Sequence, residues 1–236
     1  RLLLRLAWSG LGHVEALGGN DEAATRWLQQ VVDVDRRNGD RRREAIASAD
    51  LAVLAFQRGD FATAERLFVQ VGDMARQQDL QFLQQRNLAY LAGTNQAQGR
   101  VAAAVGLYRQ ALAFARESGD SDAEIGARAG LATTYAMLGS KERAALHARR
   151  SLELARRNGQ PMNEAMALVA SARAASDGRE AAGFYAEAAD RFEHSHNWPL
   201  AAVNRWLFVR ELRVQGDAIA LDAQVERLAT LAREHA

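Results

Sequence analysis

The stretch 99–120 of this chain is GRVAAAVGLYRQALAFARESGD. Its small and apolar residues recur at intervals of three or four, at Ala104, Tyr108, Ala111 and Leu112. That spacing places them on one face of an α-helix, so the stretch is predicted to form an amphipathic helix. Glycines stand at both ends, Gly99 before the helix and Gly119 after it, and glycine commonly ends a helix.

The same pattern recurs with a period of forty residues. The turn residues are Gly19, Gly59, Gly99, Gly139, Ser176-Asp177-Gly178 and Gly216-Asp217, and between them Asn38-Gly39-Asp40, Gln78-Asp79, Ser118-Gly119-Asp120, Asn158-Gly159-Gln160 and His196-Asn197. Two breaks in forty residues leave two helices of about 16 residues, each about 24 Å long. The spacing predicts six helical hairpins, over residues 1–39, 40–79, 80–119, 120–159, 160–197 and 198–236.

The composition also favours an all-α fold. The 236 residues include 49 Ala but only 23 β-branched residues, and aromatic residues make up 7%. Strands favour β-branched and aromatic side chains, so a β-sandwich or β-barrel is not expected. The chain does not begin with methionine and starts within the repeat pattern, so we expect one repeat domain, residues 1–236, excised from a larger protein.

Net charge and cysteine content exclude several classes of function. The chain carries 30 Lys and Arg against 29 Asp and Glu, whereas a protein that binds nucleic acid through phosphates usually has a basic excess. There is no cysteine, so disulfides and thiolate metal sites are excluded. No signal peptide or membrane-spanning run is present in the sequence, and a cytoplasmic location is expected.

Two local charge clusters stand out. The first contains Arg36, Arg37, Arg41, Arg42 and Arg43, interleaved with Asp33, Asp35, Asp40 and Glu44. We interpret it as a solvated hairpin that neutralises its own charge. The second, residues 141–157, has a local excess of +4. It is either a surface for an acidic partner or an exposed helix face.

The repeat resembles the tetratricopeptide repeat family. Trp8, Leu11 and Gly12 match that family's W-x2-L-G pattern, and Ala104, Tyr108 and Ala111 match its A-x3-F/Y-x2-A pattern. The unit here is forty residues, longer than the family's minimal unit, and is similar to the repeats of MalT-like bacterial regulators and signalling proteins. The resemblance implies a right-handed α-solenoid of about six helix-turn-helix repeats.

No catalytic constellation is evident in the sequence. It lacks a phosphate-binding G-x-x-x-x-G-K-[ST] loop and a G-x-S-x-G nucleophile elbow. His194 and His196 are two residues apart, which places them on different sides of a helix, and no third metal ligand is apparent. We therefore expect no enzyme activity, no cofactor and no metal.

The resemblance also implies a binding surface. In this family the first helix of each hairpin lines a concave groove that takes extended peptides or helices. The positions that correspond to the groove in this chain are Asp50, Arg86, Tyr90, Gly93, Gly126, Gly130, Thr133, Met137, Arg173 and Arg210. Glycine inside a helix costs about 1 kcal/mol relative to alanine. Either a partner lies against Gly93, Gly126 and Gly130, or neighbouring first helices crowd each other there.

These observations predict a protein- or peptide-binding scaffold that serves as a regulatory module of a bacterial signalling or transcription protein. The alternative is a sensor whose groove holds a signalling peptide or small molecule and controls an attached output domain. A structural arm that forms a homo-oligomer is a third interpretation. Direct contact with nucleic acid or a membrane is not expected.

Overall fold

The computed structural model describes residues 2–216 and 218–234. Within these residues it contains twelve α-helices and no strands, which confirms the all-α prediction. The helices are α1 (Leu2–Leu17), α2 (Asp21–Arg37), α3 (Arg41–Gln57), α4 (Phe61–Gln77), α5 (Gln81–Ala97), α6 (Val101–Ser118), α7 (Ser121–Met137), α8 (Lys141–Asn158), α9 (Pro161–Ala174), α10 (Gly178–His194), α11 (Trp198–Gln215) and α12 (Ala218–Glu234).

The helices form two compact units, Arg1–Ala111 and Leu112–Ala236. In the first unit α1 packs against α2, α2 against α3, α3 against α4 and α4 against α5, and α3 also contacts α5. In the second unit the same holds from α7 to α12, and α7 also contacts α9. Contacts thus run between successive helices and between first helices of neighbouring hairpins, as expected for repeats that stack.

The turns between helices follow the predicted series. The glycines with positive φ are Gly19, Gly39, Gly59, Gly99, Gly119, Gly139, Gly159 and Gly216. Asp79 and His196 adopt the same left-handed conformation at two turns that lack a glycine, with φ of 50° and 54°. Asp217, which the sixth predicted turn includes, lies outside the described residues.

Acidic and amide side chains cap the helices that follow these turns. The carboxylate of Asp60 accepts a hydrogen bond from the backbone N–H of Thr63, and Asp40 and Asp120 do the same at α3 and α7. Asn20 caps α2 in the same way. Each such bond satisfies a backbone donor at the first turn of a helix, which explains why a polar residue follows these breaks. Helix α5 differs, since its N-cap is Leu80 and no side chain caps it.

The fifth hairpin departs from this pattern. Helix α9 has 14 residues, whereas α7 has 17, and it ends at Ala174. Ala175 continues as extended backbone, and Asp177 then caps α10. The turn predicted at Ser176-Asp177-Gly178 is therefore present, but it is built from extended residues rather than a left-handed glycine.

The small-aromatic stripe lies in the core as predicted. Ala104 and Ala144 are fully buried and Tyr108 is 8% exposed. In the fifth hairpin, Ala181 and Tyr185 are buried as well. Small residues at these positions let helices approach closely, and the ring fills the space beside them.

One residue of the predicted stripe is on the surface. Leu11 is 41% exposed, whereas Gly12 beside it is buried. A Cβ atom on Gly12 would lie 2.8 Å from Cγ of Leu28, so α1 approaches α2 closely at this glycine. The close contact is centred on Gly12, and it turns Leu11 away from α2.

Replacing Ala104 by leucine is expected to lower the free energy of unfolding by about 1–3 kcal/mol, because added methylenes overpack a closely packed site. Chemical unfolding followed by circular dichroism measures the change. Ala103→Leu makes the same chemical change at an exposed neighbouring position of α6 and is the matched control. Equal stability of both variants would show that the assignment of the buried face is wrong.

Candidate functional site

Four of the predicted groove residues line one depression in the second unit. Thr133 and Met137 come from the end of α7, Arg173 from α9 and Arg210 from α11. The remaining wall includes Tyr185 of α10, and the volume is about 360 Å³. We name it the α7–α11 depression. It is within the range of pockets that hold small ligands or a few side chains of a peptide.

The depression combines apolar surface with one unpaired cation. Met137 is 54% exposed, so its side chain offers apolar surface to a ligand. Arg210 Nη2 donates to Glu211 Oε1 at 2.7 Å, and its guanidinium lies 5.8 Å from the ring centre of Trp206. Arg173 is exposed and forms no ion pair within the part of the chain that the structure describes. Its guanidinium is therefore available to an anionic group.

Asp50 and Arg86 lie close together in the first unit. Arg86 Nη2 is 3.9 Å from Asp50 Oδ1. Burial raises the pKa of the Asp50 carboxyl, and the nearby charges of His13, Arg86 and Arg5 offset this only in part. The folded protein thus holds a carboxylate at a cost to its stability, a feature that occurs often at functional sites.

Because the pKa of Asp50 is raised on folding, ionisation of this group opposes folding as the pH rises through that pKa. We therefore expect Asp50→Asn to increase stability at neutral pH and to have little effect at pH values below the carboxyl pKa. Melting temperatures of both proteins across this pH range measure the difference. A variant that is less stable at neutral pH would show that the ion pair with Arg86 outweighs the burial.

Tyr90 and Gly93 lie among aromatic rings of the first unit. The ring of Tyr90 stacks on Phe68 with centroids 5.3 Å apart, and it meets Phe56 edge to face at 5.8 Å. A Cβ atom on Gly93 would lie 3.4 Å from Cζ of Phe56 and 3.5 Å from the hydroxyl oxygen of Tyr108. Phe56 belongs to α3 and Gly93 to α5, so this glycine faces side chains of neighbouring helices, but at ordinary van der Waals distances that leave room for a methyl group.

Gly126 differs from Gly93. A Cβ atom on Gly126 would meet nothing within 4 Å, so packing does not require glycine there. Gly130 is half-buried, and its carbonyl oxygen accepts a hydrogen bond from Thr134 Oγ1 at 2.6 Å. Gly126, Gly130, Thr133 and Met137 follow one stripe of α7, which leads into the α7–α11 depression.

Gly126→Ala is expected to raise the free energy of unfolding by about 1 kcal/mol, because alanine favours the helix and its methyl group enters open space. Gly12→Ala is the contrasting variant, since its methyl group would overlap the side chain of Leu28. It should lower stability despite the same gain in helix propensity. Urea unfolding of both variants measures the two changes, and the same sign for both would contradict this assignment.

Sequence reasoning did not assign Tyr185 to the site. Tyr185 is buried, and it also forms part of the wall of the depression. No group of three or more His, Cys, Asp or Glu side chains among the described residues is arranged to hold a metal ion. Among the described helices, none combines the length and apolar character needed to cross a membrane.

A family model matches one hairpin of the chain. Residues 88–118 match the tetratricopeptide repeat. This segment covers the second half of α5 and all of α6, and it contains Ala104, Tyr108 and Ala111, so the predicted resemblance is confirmed in this hairpin. No curated protein matches the sequence.

Solved structures extend the TPR-like fold to the rest of the chain. BtubC (BKLC) from P. vanneervenii is 20% identical with a TM-score of 0.69, and the match covers 91% of each chain. The Rap conjugation gene regulator of plasmid pLS20, in complex with the Phr* peptide, is 13% identical with a TM-score of 0.75, over 98% of this chain and 62% of that one. A STAND protein with a tetratricopeptide repeat sensor from Pyrococcus horikoshii is 17% identical with a TM-score of 0.66, over 96% of this chain and 36% of that one.

The structural matches show that the chain has a TPR-like α-solenoid fold of helical hairpins, as the sequence predicted. Because the sequence identities are low, the matches show the fold alone. This chain spans less than two thirds of the Rap protein and about a third of the STAND protein.

Proposed function

We propose that this chain binds a polypeptide segment through its first helices and acts as a regulatory module of a bacterial signalling or transcription protein in the cytoplasm. Its role is binding, without a catalytic step. The observation that carries this proposal is the α7–α11 depression, where apolar surface from Met137 and Tyr185 lies beside the unpaired guanidinium of Arg173. The Rap protein, which has the same fold, is known in complex with a peptide.

The chemistry of the depression favours a peptide with an apolar side chain next to an acidic group. A carboxylate that meets Arg173 forms a charge-assisted hydrogen bond, which is stronger than a neutral one. An adjacent apolar side chain would cover Met137 and remove its exposed surface from water. Gly126 and Gly130 leave room along α7 for the peptide backbone to continue.

A panel of short fluorescent peptides tests this proposal. The three series of peptides have the same apolar residues, and the residue next to them is acidic, basic or neutral. Binding is measured by fluorescence anisotropy. Acidic peptides should bind best. Arg173→Glu should weaken their binding affinity about tenfold or more, because a like charge then faces the acidic group of the peptide. Arg157→Glu reverses an exposed arginine outside the depression and is the matched control.

Peptide binding that is unaffected by both Arg173→Glu and Met137→Arg would contradict the proposal. The volume of about 360 Å³ also suits the alternative function, a sensor for a signalling peptide or small molecule. The sensor domain of the STAND protein, which shares the fold, supports this second candidate. A sensor would be stabilised by small solutes from a cell extract after all macromolecules are removed, whereas a scaffold would not.

A further inference from the structure

Helix α1 turns apolar side chains toward the solvent. Among residues 3–17, His13 is the one exposed residue with a polar side chain. The other exposed residues of that range are leucine, valine, alanine or glycine. In α2, by contrast, every exposed residue is arginine, glutamine or glutamate, as is usual for a helix at a protein surface. We name the α1 surface by four of its exposed residues, Leu4, Ala7, Leu11 and Val14.

The forty-residue repeat shows what covers the equivalent surface in the next hairpin. The residues forty positions after Leu11 and Val14 are Leu51 and Leu54 of α3, and both are buried. Helix α2 covers them, because they belong to one hydrophobic cluster with its Leu28. The surface of a first helix is thus covered by the second helix of the hairpin before it.

The position of Ala7 gives the same result in later hairpins. Its counterpart in α9 is Ala167, which is fully buried in one cluster with Leu152 of α8. Its counterpart in α5 is Asn87, and a Cβ atom on Gly72 of α4 would lie 3.0 Å from Nδ2 of that asparagine. Within the described part of the chain, α1 has no second helix on this surface, since its residues are exposed.

Helix α12 has the complementary surface. Forty residues before Val225 and Ala232 lie Tyr185 and Phe192 of α10, which are buried and share hydrophobic clusters with residues of α11. In α12 both positions are exposed, and Val225 is exposed to 46%. The surface with which α10 covers the next hairpin is therefore uncovered in α12, among the residues that the structure describes.

The residues of this second surface form one stripe. Leu221, Val225 and Leu228 are separated by four and then three residues, the spacing of the stripe of α2 that contains Leu28. Ala232 continues the stripe by one more turn. We name the α12 surface by these four residues of α12. Neither the α1 surface nor the α12 surface contributes to the α7–α11 depression.

We propose that α12 of one copy of this chain packs on α1 of a second copy, in the way that α2 packs on α3. Val225 takes the place of Leu28 and lies beside Leu11 and Val14. The repeat identifies the occupant, because each copy carries both halves of a contact that recurs between its own hairpins. Burial of the apolar side chains drives the association. Since the two surfaces differ, the contact is heterologous, and a third copy can add to the pair.

Sedimentation equilibrium of the full chain, from about 5 µM to about 500 µM, tests this proposal, because a contact between single helices is small and therefore weak. The average mass should rise with concentration above that of one chain. Leu11→Arg and Val225→Arg should each stay monomeric, because each buries a charge in the apolar contact. Leu146→Arg and Val69→Arg make the same changes at similarly exposed positions of α8 and α4, and they should associate like the parent.

An equimolar mixture of the two monomeric variants tests which surfaces meet. Leu11→Arg keeps an intact α12 surface, and Val225→Arg keeps an intact α1 surface. The mixture should therefore form a complex of two chains and nothing larger, since the two remaining surfaces are blocked. Circular dichroism establishes that each variant is folded, and Val14→Arg repeats the test on α1 if Leu11→Arg is not.

Three results would overturn the proposal. The first is a parent protein that stays monomeric at every concentration, since a different molecule would then cover the α1 surface. The second is association that Leu11→Arg abolishes and Val225→Arg retains, because α1 would then pair with α1 of the other copy. The third is an equimolar mixture of the two variants that remains monomeric, because the two intact surfaces would then not bind each other.

Discussion

Tyr108→Ala is expected to lower the free energy of unfolding by about 3–5 kcal/mol, because it removes a large buried ring and leaves a cavity. Tyr108 is 8% exposed, and its hydroxyl oxygen lies close to Gly93 of α5. The ring therefore fills the space between α5 and α6 beside this glycine. Urea unfolding followed by circular dichroism gives the change in stability.

The matched control is Tyr108→Phe, which keeps the ring and removes only the hydroxyl group. It should cost far less than Tyr108→Ala, because the ring that fills the space is kept. If Tyr108→Ala unfolds at the same urea concentration as the parent, the ring does not support the hairpin and the repeat register is wrong.

Arg5→Met is expected to destabilise the first unit by about 3–5 kcal/mol, because it leaves a buried charge without its partner. Asp35 on α2 is 1% exposed, and Nε of Arg5 on α1 lies 2.8 Å from each of its carboxylate oxygens. The same unfolding experiment measures the loss.

The double variant Arg5→Met with Asp35→Leu separates loss of the ion pair from loss of packing. Replacing both partners of a buried pair by apolar residues of similar size is often neutral or stabilising. The double variant should therefore recover most of the stability that Arg5→Met loses. A double variant that is less stable than Arg5→Met would contradict this account, since the carboxylate would then contribute through other contacts.

The pairing of Asp35 shows where reasoning from sequence was incomplete. The sequence suggested that Asp35 and Glu44 neutralise the neighbouring arginines on a solvated hairpin. Glu44 does pair with Arg36 and Arg41, but both acids are buried, and Asp35 pairs with Arg5, thirty residues away. Proximity along the chain could not reveal this partner, because the packing of α1 on α2 brings Arg5 to it.

The glycines show the same limit. Sequence analysis grouped Gly93, Gly126 and Gly130 on one surface and left two explanations open. In the structure Gly93 faces the side chains of Phe56 and Tyr108 at ordinary contact distances, whereas Gly126 faces open space. Helical spacing assigns a residue to a face, but the distance to side chains on other helices decides what that face meets.

The sequence by itself determined the helices, their turns and their repeat. Left-handed glycines, capping carboxylates and apolar residues at helical spacing act within a few residues, so a linear pattern contains them. Only the tertiary structure decided which charges are paired, as with Arg5 and Asp35, and which are not, as with Arg173. These features depend on distances between side chains far apart in the chain, and such distances are set only when the hairpins pack.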